Sequence, residues 1–296
     1  MTIYPKLARA AAAAFLFALG MPASAGAAET VEAFADASRV VSIGGSLTEI
    51  VFALGEQEKL VARDSTSLYP EAAFSLPDVG YTRQLSPEGV LSVNPTGILA
   101  LQGSGPQEAV EVLKKAGIPY YEVPESFDHA GILEKIRSVG VAFGVEEKAA
   151  ALAKDVDARL KAAEERTASI TDRRRVLFVL SMQGGKILAA GADTAADGII
   201  RMAGALNAVE GYSGYKQLSE EAVLEARPDI VLMMDRGNPA DSLTDPFQNP
   251  AIAATPAGEK RAIVRMDGSY LLGFGPRTAD AILELATAVY GKQISD

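Results

Sequence analysis

The side chains that most often perform catalysis or bind metals are scarce in this 296-residue chain. It contains one histidine, His129, and no cysteine. A thiolate site, a multi-histidine metal site and a histidine-assisted catalytic triad therefore lack their usual parts. His129 itself is expected at the start of a helix, in a surface or capping role rather than as a ligand. No Walker-type phosphate-binding run occurs, and Gly273-Phe274-Gly275-Pro276 lacks the spacing of a dinucleotide-binding loop.

Small and polar residues follow four predicted strands, at the edge where an open α/β sheet binds its ligands. They are Gly44-Gly45-Ser46, Gln102-Gly103-Ser104-Gly105, Met182-Gln183-Gly184-Gly185 and Asp235-Arg236-Gly237. None of the four sets combines a nucleophile, a base and an acid. An oxidoreductase or chelatase component would need cluster cysteines or an acid–base pair, and the sequence offers no clear version of either. These residues therefore predict a binding cleft rather than a catalytic centre.

An internal repeat indicates which elements position these residues. Leu85–Leu99 and Leu218–Leu232 share seven identities in fifteen positions, and matching segments precede both in the same order. Each copy begins with an apolar run typical of a buried parallel strand, Val40–Ile43 in the first and Val176–Leu180 in the second. The alternation of strands and helices predicts an α/β fold with two lobes, each containing a mostly parallel sheet flanked by helices.

The segment between the two copies, residues 145–170, contains no glycine or proline and is rich in alanine, lysine, glutamate and leucine. This composition predicts one long helix. About 24 residues at 1.5 Å each give a helix of roughly 36 Å, which could bridge an N-terminal lobe of residues 28–144 and a C-terminal lobe of residues 171–296. The ligand would then bind in the cleft between the lobes. The alternative is a surface helix within one lobe.

Four residues are predicted as helix N-caps, because each is a serine or threonine that precedes a helical pattern. They are Ser46, Ser86, Thr194 and Ser219.

The N-terminal residues have the order of a secretory signal peptide. Lys6 and Arg9 precede an apolar run, and a small-residue stretch offers cleavage after Ala25 or Ala27. We therefore predict a leader over residues 1–27, with a buried N-terminal helix as the alternative. Losing its two basic residues would move the formal net charge from −10 to −12, which disfavours nucleic acid and anionic membranes as partners.

Three longer motifs resemble one family. They are residues 62–70 (ARDSTSLYP), 76–86 (LPDVGYTRQLS) and 267–277 (DGSYLLGFGPR). All three resemble the periplasmic haem-binding proteins of bacterial haem uptake, solute-binding proteins of ABC importers in which one helix joins two lobes. The resemblance implies a monomeric, non-enzymatic protein that captures haem in the periplasm and delivers it to a permease dimer at the inner membrane. A corrinoid or a ferric siderophore is the alternative cargo, since a fold does not choose its ligand.

The resemblance also implies roles for particular residues. Tyr81, in the run V-G-Y-x-R-x-L-S, matches the tyrosine that ligates haem iron, and a phenolate suits ferric haem. A half-buried rim tyrosine is the alternative role, and Tyr69 is the nearest rival as ligand. Arg236 matches the family's arginine that bonds this tyrosine across the cleft, which favours the anion. Arg83 is expected at a haem propionate, with support of the phenolate as its alternative role. Lys216 is a further propionate candidate, because it occupies the second copy's equivalent of the Arg83 region.

Three further residues receive roles from the resemblance and the repeat. Some family members place a histidine near the haem in the second lobe, where this sequence has Met182. Met182 is expected either as a soft contact or as a packing residue, and a single five-coordinate haem is the simpler expectation. Glu88 and Glu221 occupy equivalent positions in the repeat and, by the resemblance, dock onto arginines of the two permease subunits. Their alternative role is an interaction with a helix N-terminus.

Overall fold

The computed structural model of the chain describes Met1, residues 31–235 and residues 245–294. Apart from Met1, the predicted leader lies outside the described residues, and so does Arg236. Within the described part, strands and helices are organised around two separate sheets. No helix there combines the length and the apolar character that crossing a bilayer requires.

The first lobe contains a four-stranded sheet in the order β2-β1-β3-β4, in which every neighbouring pair is parallel. Its first strand is buried at all four positions, as expected where helices cover both faces of a parallel sheet. In chain order the elements are β1 (Val40–Ile43), α1 (Gly45–Ala53), β2 (Leu60–Arg63), α2 (Pro87–Leu91), β3 (Gly97–Leu101), α3 (Gln107–Lys114), β4 (Tyr120–Val123) and α4 (His129–Phe143).

The second lobe contains a six-stranded sheet in the order β10-β9-β5-β6-β8, with β7 beside β5. In chain order its elements are β5 (Arg175–Gln183), β6 (Lys186–Ala190), α6 (Ala195–Met202), β7 (Leu206–Asn207), β8 (Tyr215–Leu218), α7 (Glu220–Ala226), β9 (Ile230–Asp235), α8 (Pro250–Ala253), α9 (Pro256–Lys260), β10 (Ile263–Asp267), α10 (Gly268–Leu272) and α11 (Thr278–Tyr290). This sheet is mixed, because β6 runs antiparallel to both β5 and β8. Gly184 and Gly185, at φ 56° and 78°, supply the left-handed turn that joins β5 to β6.

One long helix, α5 (Glu146–Ala168), lies between the two lobes in the chain. It packs against α4 of the first lobe and α11 of the second, so it bridges the lobes rather than covering one of them. Its buried positions recur every three or four residues, which is the stripe of an amphipathic helix. They are Ala149, Ala153, Val156, Leu160, Ala163 and Thr167. The prediction of two α/β lobes joined by a long helix is confirmed.

Three of the four predicted N-caps are confirmed. The side chains of Ser86, Thr194 and Ser219 accept hydrogen bonds from backbone N–H groups of the first turns of α2, α6 and α7. The prediction for Ser46 is wrong, since the N-cap of α1 is Gly44, two residues earlier. Gly44 has φ 126°, a conformation that a glycine adopts without strain. Ser46 is buried inside the helix and accepts a hydrogen bond from Lys135 Nζ.

His129 is the first residue of α4, but Asp128 caps that helix. The two ring nitrogens of His129 lie 2.9 Å from a carboxylate oxygen of Asp157 and 2.9 Å from one of Glu164, both on α5. The single histidine therefore joins α4 to the bridging helix. This role is structural, and the sequence alone does not reveal the two carboxylates.

Candidate functional site

The segment that carries Tyr81 is held against the end of β2. The backbone N–H of Ser65 donates to the carbonyl of Gly80 at 2.9 Å. A guanidinium nitrogen of Arg63 lies 3.1 Å from the carboxylate of Asp78, which also accepts a hydrogen bond from the Gly80 N–H at 2.8 Å. These bonds fix the backbone immediately before Tyr81. Gly80 of the V-G-Y-x-R motif is thus held on both its N–H and its carbonyl, which positions the tyrosine that follows.

Asp64 organises the loop that supports this segment. Its side chain is fully buried and accepts hydrogen bonds from Gly44 N (2.9 Å) and Ser67 Oγ (2.8 Å) on one oxygen. Its other oxygen accepts from Thr66 N (3.0 Å) and Thr66 Oγ1 (2.6 Å). A buried carboxylate needs such complete pairing. The motif at residues 62–70 therefore ties the end of β1 to the loop after β2.

Tyr81 and Arg83 lie on the exposed side of this frame. Tyr81 is 47% exposed, so its phenol is accessible from solvent. Arg83 Nη1 donates to the carbonyl of Gly103 at 2.8 Å, which places the guanidinium at the loop following β3. This loop is one of the four where the sequence predicts cleft residues.

A tyrosine of the second lobe, Tyr215, interacts electrostatically with this pair. Burial raises the pKa of its phenol, while hydrogen bonds from Thr194 and the backbone of Ala196 and the charge of Arg83 act in the opposite direction. Ionisation of Tyr81 would raise the pKa of Tyr215 further. These electrostatic interactions join residues of both lobes. Tyr215 of the second lobe and Tyr81 and Arg83 of the first are thus close enough to interact electrostatically.

Tyr215 is not among the site residues predicted from the sequence, although the repeat contains its signal. Gly214 and Tyr215 occupy the same place in the second copy as Gly80 and Tyr81 in the first. The next residue, Lys216, is the one predicted there as a ligand contact. An aromatic residue at equivalent positions of both copies is thus the signal that identifies the second phenol.

The structure does not bring Lys216 to the face of Tyr215. The two residues are adjacent in β8, so their side chains point to opposite faces of the sheet. Lys216 Nζ lies 5.0 Å from the ring centroid of Tyr212, on the other face. Met182 is also on that face, where it packs against the smaller core of the second lobe together with Tyr212 and Leu218. Met182 is thus placed as a packing residue.

The face that carries Tyr215 continues into an open pocket of about 480 Å³. Its lining is mainly polar and comes from the β5–β6 hairpin and β8. The lining residues are Ser181, Gln183, Gly184, Lys186, Leu188 and Gln217. Two of them, Gln183 and Gly184, belong to a set that the sequence predicts at the cleft. This pocket therefore offers mainly hydrogen-bonding groups, together with the charged Lys186.

Glu88 and Glu221 are exposed residues in the first turns of α2 and α7. A hydrogen bond from Ser86 and then one from the backbone N–H of Glu88 hold the pKa of Glu88 below its ordinary value. The pKa of Glu221 is lowered by its own backbone N–H and then by Ser219. Both carboxylates are therefore fixed in the same local geometry, one on each lobe.

Comparison with known proteins matches residues 40–270 to the periplasmic binding protein family. The chain is similar to the periplasmic heme-binding protein BhuT in complex with two hemes, with 40% identity, a TM-score of 0.78, and coverage of 85% of this chain and 97% of BhuT. It is also similar to the periplasmic heme-binding protein RhuT from Roseiflexus sp. RS-1 in apo form, with 38% identity, a TM-score of 0.80, and coverage of 86% and 99%.

Among curated sequences, the chain is 27% identical to the uncharacterized ABC transporter substrate-binding lipoprotein YvrC of Bacillus subtilis, over 85% of this chain and 80% of YvrC. The family model covers most of the chain, and the similarity to BhuT and RhuT extends through both lobes. Proteins of this family are solute-binding components of transport systems. The chain belongs to the periplasmic binding protein family.

Proposed function

We propose that this protein binds haem in the cleft between its lobes and delivers it to an ABC-type importer in the inner membrane. The observation that carries this proposal is the identity of 38% to 40% with two heme-binding proteins that the chain matches through both lobes. The predicted leader supports a periplasmic location. The match to a substrate-binding lipoprotein of an ABC transporter supports a permease partner.

Within this proposal Tyr81 ligates the haem iron. Its phenol is 47% exposed, and its backbone is fixed by the bonds around Asp78. A phenolate is a hard anionic donor that suits ferric iron. Arg83 binds a haem propionate, a role that fits a guanidinium at the cleft edge. Tyr215 adds a second aromatic surface from the opposite wall.

Absorption spectroscopy of the purified protein with added haemin tests the iron ligand. We expect a Soret band together with the long-wavelength bands of a high-spin tyrosinate haem. Tyr81→Phe removes the phenol oxygen while keeping the ring, so it should abolish the tyrosinate bands and weaken binding. Tyr69→Phe is the matched control, because Tyr69 is 43% exposed and is the rival ligand. Loss of the bands in Tyr69→Phe alone would overturn the assignment to Tyr81.

The nature of the cargo needs a separate test. Competitive titration with haemin, a corrinoid and a ferric siderophore compares the three ligands on one protein. We expect haemin to displace the other two and to resist displacement by them. Preferential binding of a corrinoid or a siderophore would refute the haem proposal while leaving the family intact.

Glu88 and Glu221 dock the protein onto the permease. Their support is their matched exposure and local geometry on the two lobes. The double variant Glu88→Gln/Glu221→Gln should bind haemin like the parent but fail to stimulate ATP hydrolysis by the reconstituted importer. Glu147→Gln, an exposed residue on α5, is the control. Full stimulation by the double variant would contradict the docking role.

A further inference from the structure

A group of buried polar contacts lies where the two lobes meet. We call it the inter-lobe seam and define it as Glu49, Glu125 and Lys135 of the first lobe with Phe274 and Arg277 of the second. The side chain of Lys135 is fully buried. Its ammonium donates to Glu125 Oε1 at 2.5 Å, to the carbonyl of Phe274 at 3.0 Å and to Ser46 Oγ at 3.2 Å.

These three bonds use every N–H that an ammonium group can donate. Two acceptors, Glu125 and Ser46, belong to the first lobe, and the third is the carbonyl of Phe274 in the second. Burial lowers the pKa of Lys135, and the adjacent carboxylate of Glu125 acts in the opposite direction. A rotation of the lobes that removed the Phe274 carbonyl would leave a buried donor without its partner, which is costly.

Arg277 makes a second set of contacts across the seam. One of its terminal nitrogens donates to Glu49 Oε2 at 2.9 Å. Its guanidinium carbon also lies 3.6 Å from the ring centroid of Tyr69 in the first lobe and 5.2 Å from that of Tyr270 in the second. One cation thus contacts aromatic rings of both lobes, a geometry in which cation–π attraction is favourable.

The backbones of the lobes also approach closely beside these contacts. A Cβ added at Gly198 of α6 would lie 2.5 Å from the carbonyl oxygen of Phe127 in the first lobe. The rings of Phe127 and Phe274 pack edge to face with centroids 5.2 Å apart. Apolar burial favours contact between the lobes but does not select an angle, because it is not directional. Hydrogen bonds do depend on direction.

We propose that Lys135 and Arg277 are positioning residues that set the angle between the lobes and thereby the width of the cleft. They hold this angle before any ligand binds. The consequence for haem retention rests on the proposed function, whereas the lobe angle itself can be measured without ligand. In this view the cleft is pre-organised by polar contacts at its base.

The test uses two spin labels and double electron–electron resonance on the full chain. Since the sequence contains no cysteine, Glu111→Cys on α3 and Glu225→Cys on α7 provide two exposed and unique labelling sites. We expect a narrow inter-lobe distance distribution in the labelled parent. Lys135→Met and Arg277→Met should each broaden or shift it. Lys161→Met, which removes an exposed lysine of α5, should leave it unchanged.

If Lys135→Met fails to fold by circular dichroism, Arg277→Met decides the result, since the side chain of Arg277 is itself partly exposed. Folded variants with the parental distance distribution would overturn the proposal. Release of haemin to excess apomyoglobin should be about tenfold faster in Arg277→Met, or about 1.4 kcal/mol. Unchanged release alongside a changed distance would overturn the link between the lobe angle and haem retention. A parent that binds no haemin would refute the proposed function and leave the distance result standing.

Discussion

Replacement of Asp64 by asparagine tests whether the loop below Tyr81 depends on one buried carboxylate. Each carboxylate oxygen of Asp64 accepts one backbone N–H, from Gly44 or from Thr66, and one hydroxyl. In either orientation the amide group of asparagine would direct its NH2 at one of those backbone N–H groups. The hydroxyl groups of Thr66 and Ser67 can rotate, but the backbone donors cannot.

The expected cost follows from this geometry. One backbone donor loses its acceptor and a second bond becomes neutral rather than charge-assisted, so Asp64→Asn should lower the free energy of unfolding by about 3 kcal/mol. Equilibrium urea unfolding measures this loss. Asp36→Asn is the control, because the side chain of Asp36 accepts only a local bond, from the Ser38 N–H in an exposed turn, and it should change stability little. A loss below about 1 kcal/mol in Asp64→Asn would refute this account of the loop.

Three further substitutions test the contact between the lobes, the stability of the protein at acid pH and the binding of haemin in the cleft. Gly198→Ala places a methyl group 2.5 Å from a backbone oxygen of the other lobe and should lower the free energy of unfolding in urea by about 1–3 kcal/mol. Gly89→Ala is the control and should not be destabilising, because the nearest atom to its added methyl group would be 3.5 Å away. A hydrogen bond from Lys148 holds the pKa of Glu56 below 4.5. The contribution of this interaction to stability is therefore complete above pH 4.5 and is lost as the pH falls through the pKa of Glu56 in the folded protein. Glu56→Gln should therefore reduce the free energy of unfolding at pH 7 but not at the lowest pH tested. Arg83→Gln should weaken haemin binding about tenfold and reduce its salt dependence while the tyrosinate bands persist; equal affinity at low salt would contradict a propionate contact.

The sequence predicts those parts of the fold that depend on local pattern. Val40–Ile43 reads as a buried strand because four consecutive residues are covered on both faces. The bridging helix α5 is recognisable because its composition favours a helix throughout and no residue interrupts it. The repeat predicts that a second lobe follows the first. Tyr81 stands out through its motif rather than through any physical pattern.

The remaining features depend on which residues meet across the lobes. Gly184 and Gly185 lie where the sequence predicts a loop. The local pattern does not predict that β6 then pairs antiparallel with β5, which is what makes the second sheet mixed. Nothing in the pattern of α4 distinguishes Lys135 from a solvated lysine, because its three acceptors are separated from it by 10 to 139 residues. Tyr215 likewise becomes a cleft residue only when β8 is placed opposite Tyr81.

The largest apolar core has a consequence for how the chain folds. It is continuous from Leu47 and Val139 of the first lobe through Leu160 of α5 to Phe178 and Leu285 of the second. Unfolding one lobe would expose the apolar face on which the other rests, so the described lobes should melt together in a single cooperative transition. A fragment ending within α5 would present that face to solvent and aggregate. The two lobes thus form one folding unit despite their separate sheets.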